Sequence, residues 1–388
     1  MTGLPADLLR DPGLVAVLDA IEAGGHRGYL VGGAVRNGLL GQPVDDMDIA
    51  TDADPATVTR LAGRAGLAAV PTGIDHGTVT LIADGRGFEV TTFRRDLRTD
   101  GRRAIVAFSD DLAEDARRRD FTMNALYADR AGRIIDPMGG LPDLRAGRLR
   151  FVGAAPDRIR EDYLRILRFF RFFAHYGREA DPQAIAACAA LKDGLAQIAR
   201  ERVGHEMRKL LSAPAPLAAI LLMRGTGVLD LLLPGATPGR LASLESLGGG
   251  AGWQARLAAL SQDDLARPLR LSRQEARDHR SLVTALRQGW SFERIAYRLE
   301  PRLARAAALL VQTRDDGAAA PRPGWEAVRQ RASGQRLPLT AADLQPDLTG
   351  AALGRGLKVA EDAWIESGFA LPAATLARIA RSAGKDTP

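Results

Sequence analysis

Cysteine is almost absent from the 388 residues: Cys188 stands alone, so the fold has no internal disulfide framework. Its setting, Ala186-Ala187-Cys188-Ala189-Ala190, reads as a small buried residue on a helix. No run of about 18 apolar residues escapes a charge, and Met1 to Asp7 lacks a basic segment leading into an apolar one. These absences argue against secretion and membrane spanning and for a reducing cytoplasm. Histidine is scarce, with five in the chain, and His205 has no second His, Cys or carboxylate at metal-site spacing, which makes it a structural residue rather than a ligand. No fixed-period repeat is present. Lysine is rare among the basic residues. Arginine dominates, and its rigid fork suits phosphates and base edges better than a point charge.

The remaining composition is that of a globular chain. Apolar residues make up 46%, and the length calls for two or more domains. A net charge of +6 permits a polyanionic partner without requiring one.

The stretch Tyr29 to Thr51 organises the rest. Tyr29-Leu30-Val31 is an apolar strand, Gly32-Gly33 a turn, and Ala34, Val35, Leu39 and Leu40 have helical spacing closed by Gly41. Glycines let the backbone approach a ligand, and the N–H groups that open a helix attract phosphate. Asp46 and Asp48 flank Met47, and Met47-Asp48-Ile49-Ala50-Thr51 reads as a buried strand. Side chains two apart on a strand share a face roughly 6 to 7 Å apart, so two carboxylates can converge on a pair of hard cations. Such a pair serves in-line phosphoryl or nucleotidyl transfer. A lone Asp-x-Asp is more often a turn capping a strand, and the glycine pair before it tips the reading toward chemistry.

Leu30-Val31-Gly32-Gly33-Ala34-Val35-Arg36 followed by Asp46-Met47-Asp48-Ile49-Ala50-Thr51 resembles the first motif of the bacterial and eukaryotic class (class II) of CCA-adding tRNA nucleotidyltransferases and their poly(A) polymerase relatives. Asn37 departs from that motif, in which an Asp is usual. The resemblance implies Gly32, Gly33 and Arg36 as phosphate-cradling residues.

Further along, Asp54-Pro55-Ala56-Thr57 opens a helix to about Gly66, and Gly77–Ile82 and Gly87–Phe93 form a hairpin across Ala83-Asp84-Gly85-Arg86. Glu89 lies in the second strand, and pattern alone leaves open whether it faces the metals or solvent. Arg94 to Ser109 is a polar, charged loop; in the family the corresponding loop is mobile and tied to the switch from adding C to adding A. Ala116 to Leu126 places Arg117-Arg118-Arg119-Asp120 at the start of an apolar helix, and arginines so crowded need an anion or carboxylates nearby. The segment resembles the family's Arg-Arg-Asp-Phe-Thr-x-Asn-Ala motif, which implies Arg119 as a ligand of the nucleotide's ribose and triphosphate, with Asp120 and Asn124 orienting it.

Pro156 to Tyr176 reads as one amphipathic helix in which Asp162, Arg165, Arg168 and Arg171 recur every third residue opposite Ile159, Tyr163, Leu164, Ile166, Leu167, Phe170 and Phe173. The plain reading is a surface ion pair between Asp162 and Arg165. The sharper one is base selection: C and A each present an amino donor beside a ring-nitrogen acceptor, G and U the reverse, and a carboxylate beside a guanidinium matches only the first pair. Glu161-Asp162-x-x-Arg165 resembles the family's nucleotide-selecting motif, and Arg168 and Arg171 extend the row toward the triphosphate. Glu201 to Leu211 resembles the helix that follows it.

Beyond Pro214 the chain is Ala-, Leu- and Arg-rich and helical. Arg267, Arg270, Arg273, Arg277 and Arg280 suit RNA phosphates, and composition bias alone also fills surfaces with arginine. Leu337–Leu344 with Gly354–Lys358 resembles a C-terminal helical element of the family that meets tRNA. No His-Asp dipeptide occurs, so the phosphohydrolase domain of some relatives is not expected. The reading is an α+β chain: a nucleotidyltransferase α/β head with a mixed sheet (1–152), a helical neck for nucleotide selection (153–212) and a helical body and tail for tRNA (213–388). The activity expected is template-independent addition of C, C and A to tRNA from CTP and ATP, releasing pyrophosphate, with Asp46 and Asp48 holding two Mg²⁺. A poly(A) polymerase is the alternative enzyme. Thr72-Gly73-Ile74-Asp75-His76-Gly77-Thr78-Val79 resembles the CCA-adding version instead. A non-catalytic RNA-binding protein on the same scaffold is the alternative outside enzymes.

Overall fold

Asp11 accepts the Leu14 N–H at 2.9 Å, and Pro12 fills the first turn of a helix that runs over Pro12–Glu22. The sequence pattern reads a lead-in helix from Gly13 to Ala23, one residue later at each end; the cap and the proline fix its start. In the computed structural model, which describes residues 3–100, 103–248 and 250–385, the chain forms two units, Met1–Leu232 and Leu233–Pro388.

The first unit carries strands β1 (Gly28–Val31), β2 (Ile49–Thr51), β3 (Ala68–Gly73), β4 (Thr78–Ala83), β5 (Arg86–Thr92), β6 (Arg94–Asp100), β7 (Arg103–Phe108), β8 (Tyr127–Ala128) and β9 (Ile134–Ile135). Seven of them make a mixed sheet in the order β3-β4-β5-β2-β1-β8-β9. Within it β2 and β5 run parallel, while β1 is antiparallel to both β2 and β8. Val79, Leu81, Phe88 and Val90 are buried on one face, against the Pro12–Glu22 helix and the Pro55–Arg64 helix. The period-2 alternation then turns Thr78, Thr80, Glu89 and Thr91 to the other face. The expected hairpin is present, with Asp84 and Gly85 both at positive φ (49° and 71°), as a two-residue I′ turn demands.

Three expectations are corrected. The strand read from Met47 begins only at Ile49, so Asp46 and Asp48 occupy the extended approach to β2. The stretch read as an irregular loop from Arg94 is a two-stranded antiparallel ribbon, with Arg94 opposite Phe108 and Arg98 opposite Ile105; residues 101 and 102 of the same expected loop lie outside the described residues. Finally, Pro156 to Tyr176 is not one helix. Helices Ala155–Glu161 and Leu164–Tyr176 are separated at Asp162, whose backbone is extended (φ −155°, ψ 106°). Its carboxylate accepts the Leu164 N–H at 3.1 Å, a local bond that competes with continuing the ladder.

The Leu164–Tyr176 helix is welded to the sheet-bearing part by aromatic rings. Phe121 lies 4.8 Å from Phe151 and 5.3 Å from Phe172, and Phe151 stacks on Phe169 at 5.7 Å, centroid to centroid. The Arg200–Leu211 helix packs on its far side.

The second unit is helical from Pro238–Ser246 to Ala373–Lys385. Ser272 and Glu275 form a reciprocal capping box at the start of Arg273–Arg287. Helices Gly350–Glu366 and Ala373–Lys385 approach closely at Gly356, where a Cβ would lie 2.6 Å from the Ala380 carbonyl oxygen. Leu344, Trp364, Ile365, Leu376 and Ala380 fill the core there. Arg267, Arg270, Arg273, Arg277 and Arg280 are all exposed. Among the described residues no helix is long and apolar enough to cross a membrane.

Candidate active site

The Asp46 to Asp48 approach is held to the sheet by a backbone bond, the Val31 N–H donating to the Asp48 carbonyl at 3.0 Å. Ile49 is in register with Val90 on the neighbouring parallel strand, which brings Asp48 beside Glu89 on the open face. Burial pushes the Asp48 carboxyl above the usual carboxylate range, Glu89 and Asp46 push it further, and Arg119 opposes them. Glu89, whose face the pattern left open, therefore lies on the Asp48 side of the sheet. Among the described residues no group of three or more His, Cys, Asp or Glu forms a ready cation cage. The carboxylates available to a cation are Asp46, Asp48 and Glu89. All are hard oxygen donors of the kind Mg²⁺ takes, and a cation would relieve the like-charge crowding on Asp48.

Gly32 opens the Gly33–Leu40 helix with φ 67° and ψ −121°, a conformation that strongly favours glycine. A Cβ at Gly32 would lie 3.5 Å from Arg119 Nη1, so the glycine turn and Arg119 face each other beside the carboxylates. Arg119 is fixed from behind: Nε donates to the Tyr127 hydroxyl at 3.0 Å and Nη2 to Asp115 at 3.0 Å. Asp115 also accepts the Tyr127 hydroxyl at 2.6 Å and pairs with Arg118 at 2.6 Å. Asp115 is thus the carboxylate that the arginine run requires, on the Leu112–Arg117 helix.

Arg117 ends that helix and Arg118 and Arg119 follow it; the arginines do not begin one. Phe121, Met123, Ala125 and Leu126 are all fully buried, leaving no exposed face for an amphipathic helix, and the backbone there makes only a single turn, Thr122–Asn124. Asp120 and Asn124 do not orient Arg119 either. Asp120 accepts Arg168 Nε at 2.9 Å and the Asn124 amide at 3.0 Å, and Asn124 in turn accepts Arg36 Nη1 at 2.5 Å.

Arg36, expected to cradle phosphate, is only 7% exposed and all three of its nitrogens are engaged. Nε donates to Asn37 at 3.1 Å, Nη1 to Asn124, and Nη2 to Asn37 at 3.0 Å and to the Tyr176 hydroxyl at 2.9 Å. Its guanidinium lies 4.2 Å from the Tyr176 ring centroid. Burial in these surroundings lowers its pKa, although Tyr176 and Asp120 act to raise it. Arg36 is therefore a clamp between the glycine-turn helix and the Leu164–Tyr176 helix.

The charged row also differs from expectation, because Asp162 and Arg165 do not pair with each other. Arg202 holds Asp162 at 2.7 Å. Arg165 pairs with Glu161 and donates to the Arg158 carbonyl at 2.9 Å. Arg168 goes to Asp120, and Arg171 to Glu206 at 2.6 Å. Each reader is held by the protein and keeps spare donors or lone pairs for a base edge.

Asp115 and Asp120 make acid stability a direct readout of this network. Burial pushes each carboxyl up, but Arg119 and Arg118 beside Asp115, and Arg168 with the Asn124 amide beside Asp120, outweigh it and hold each at about 2 against an ordinary 3.8. The folded state then binds fewer protons than the unfolded one between those values. Each group contributes roughly 2 kcal/mol that is present above pH 4 and is lost as pH falls toward 2. Thermal melts of the first unit's signal from pH 5 to pH 2.5 should show a steep drop that flattens in Asp120→Asn; equal slopes would contradict the assignment.

Sequence reasoning missed Asp115, Tyr127, Tyr176, Arg202 and Glu206. Asp115 stands one helical turn before Arg119, a spacing that was available as a signal, and Arg202 and Glu206 lie inside the Glu201 to Leu211 segment singled out for its likeness. Tyr127 and Tyr176 gave none.

Residues 28–150 match the model of the poly A polymerase head domain, and residues 179–239 that of the probable RNA and SrmB-binding site of polymerase A. The CCA-adding enzyme of Lactiplantibacillus plantarum is 44% identical over 225 residues, 57% of this chain and 53% of that protein. That of Geobacillus stearothermophilus is 40% identical over 223 residues, 57% of this chain and 54% of that protein. The chain thus spans about half the length of the curated relatives it matches. A crystal structure of Bacillus stearothermophilus CCA-adding enzyme in complex with CTP superimposes with a TM-score of 0.72 at 29% identity, covering 92% of this chain and 94% of that one. A Thermotoga maritima CCA-adding enzyme complexed with tRNA shares the fold at TM-score 0.68 and 18% identity, covering 98% and 99%. With the glycine turn, the aspartates and Arg119 all inside residues 28–150, the candidate site lies wholly within the stretch that matches the poly A polymerase head domain.

Proposed function

We propose that this chain is a CCA-adding tRNA nucleotidyltransferase, extending tRNA 3′ ends with C, C and A from CTP and ATP and releasing pyrophosphate. The observation that carries the reading is the placement of Asp48, just before β2, beside Glu89 on the neighbouring parallel strand β5, facing Arg119 and the Gly32 turn, in the same unit as the Asp162 to Arg171 row. The likeness to a CCA-adding enzyme solved with CTP, and to curated CCA-adding enzymes over the head, supports it. Residues 1–152 would act as the head, 153–212 as the neck that reads the base, and 213–388 as the body and tail that meet tRNA, in the cytoplasm.

Asp46 and Asp48, with Glu89 beside them, would hold two Mg²⁺, which when bound lower the pKa of the RNA 3′-hydroxyl and neutralise the leaving pyrophosphate. Arg119 presents Nη1 toward the glycine turn, where a ribose–triphosphate would lie. Arg168 and Arg171 are oriented by Asp120 and Glu206 along the same helix. Asp162 and Arg165 would accept and donate to the amino and ring-nitrogen edge shared by C and A.

Incubating the protein with tRNA lacking its terminal CCA and with each labelled nucleotide tests this directly. C, then A, then a stop is the expected product series. Open-ended A addition would make it a poly(A) polymerase, and no incorporation would make it a binding protein. Selection is tested by Asp162→Ala, which removes the acceptor and leaves Arg202 without its partner. Discrimination against UTP and GTP should fall by about tenfold or more. Unchanged discrimination would remove Asp162 from base reading.

A further inference from the structure

The structure contains a hydrogen-bonded chain that runs from the base-reading helix to the turn carrying the aspartates, and Asn37 is its last link. Asn37 is half-buried on the Gly33–Leu40 helix. Its Oδ1 accepts Arg36 Nε at 3.1 Å, Arg36 Nη2 at 3.0 Å and the Tyr176 hydroxyl at 3.2 Å. Arginine has only donors, so this oxygen must face Arg36. The Asn37 amide nitrogen is thereby turned outward, and it donates to the Pro43 carbonyl at 3.0 Å, three residues before Asp46. The Gln42 N–H also returns to the Asn37 carbonyl at 2.9 Å, so the start of the turn is held to one residue by two bonds.

The other end of the chain closes on the same base-reading helix. Arg36 Nη1 reaches Asn124, Asn124 reaches Asp120, and Asp120 holds Arg168. Tyr176 and Arg168, two turns apart on one helix, therefore both connect through Arg36. That guanidinium has no carboxylate partner among the described ion pairs; it is held by neutral oxygens and by the faces of Tyr176 and Phe172. An aspartate at position 37 would pair with Arg36 but has no N–H to offer the Pro43 carbonyl, and would set a carboxylate oxygen against it.

We propose that Asn37 is a positioning residue that transmits the placement of the Leu164–Tyr176 helix to the turn bearing Asp46 and Asp48, so that base reading and carboxylate placement are set together. The inference rests on the nucleotidyl-transfer reading above. It assigns to the amide at 37 a task that the carboxylate usual at this place cannot perform.

The test uses the full chain, tRNA lacking CCA, CTP and a Mg²⁺ titration. Asn37→Asp keeps the acceptor toward Arg36 and Tyr176, replaces the donor toward Pro43 with a carboxylate oxygen and adds a negative charge beside Arg36. Its kcat should fall about fivefold to tenfold, the effect of one lost positioning bond, and the Mg²⁺ concentration for half-maximal rate should rise. KM for CTP should hold, and the melting temperature should not fall, since Arg36 gains an ion pair. A merely structural role predicts the opposite split, with altered melting and an unchanged Mg²⁺ requirement. Tyr176→Phe approaches from the far end, deleting the hydroxyl and leaving Asn37 bonded to Pro43, and should raise the Mg²⁺ requirement in the same direction. Unchanged kcat and Mg²⁺ requirement in Asn37→Asp overturns the inference, and if that variant does not fold, an unchanged requirement in Tyr176→Phe overturns it. A wild-type protein that incorporates nothing would instead remove the functional reading on which the inference stands.

Discussion

Asp48→Ala should reduce nucleotide addition by at least about a thousandfold while CTP and tRNA binding remain measurable. Asp48 is the carboxylate on which the local charge converges: burial, Glu89 and Asp46 all raise its proton affinity, and Arg119 alone opposes them. A carboxylate so crowded gains from added positive charge nearby, so its removal takes away a cation ligand more than a packing contact. Its side chain lies just before β2 and supports no core, so the melting temperature should hold. Rapid-quench turnover and fluorescence binding to a CCA-less tRNA separate the two effects. An Asp48→Ala protein that turns over within tenfold of wild type would place the cations elsewhere.

The second large effect is on stability. Asp115 is 1% exposed and holds Arg118, Arg119 and the Tyr127 hydroxyl together. Asp115→Ala leaves the Arg119 guanidinium, 18% exposed, without its counter-charge and Tyr127 without an acceptor; breaking a fully buried pair from one side costs about 3–5 kcal/mol, and the partial exposure of Arg119 sets the expected loss at the lower end, about 3 kcal/mol. Urea unfolding should show a lower midpoint with an unchanged slope, the product of slope and midpoint shift giving that loss. Tyr127→Phe removes two bonds of the same hub, the one accepted from Arg119 and the one donated to Asp115, and should cost about 1–2 kcal/mol. If Asp115→Ala loses no more than Tyr127→Phe, the hub is not the support of Arg119.

Much of the head was legible because its signals are local. The Asp84-Gly85 turn, the Pro12–Glu22 helix and the glycine turn at Gly32 are each written in a few adjacent residues, and each formed within a residue of where the pattern puts it. The site was legible in its residue types but not in its pairings. Asp162 and Arg165 are three apart and read as neighbours, yet their partners are Arg202 and Glu161. Charge periodicity says which side chains share a row, and tertiary packing decides which opposite charge each one meets. Arg36 shows the same limit. A motif arginine beside a glycine turn reads as a phosphate ligand until Tyr176, 140 residues away, closes over it. The helix expected after Arg119 failed for a different reason: Phe121 to Leu126 are buried on every side, and a segment with no wet face carries no periodic signal.

The ring cluster of Phe121, Phe151, Phe169 and Phe172 bears on how this protein can be cut. Trimming the gene at codon 152 would strip two of the four rings from the other two and leave a greasy scar on the remaining piece, inviting clumping during expression. A shortened version meant for soluble biochemistry should keep the chain at least through Leu211, so that the plate of phenylalanines stays whole.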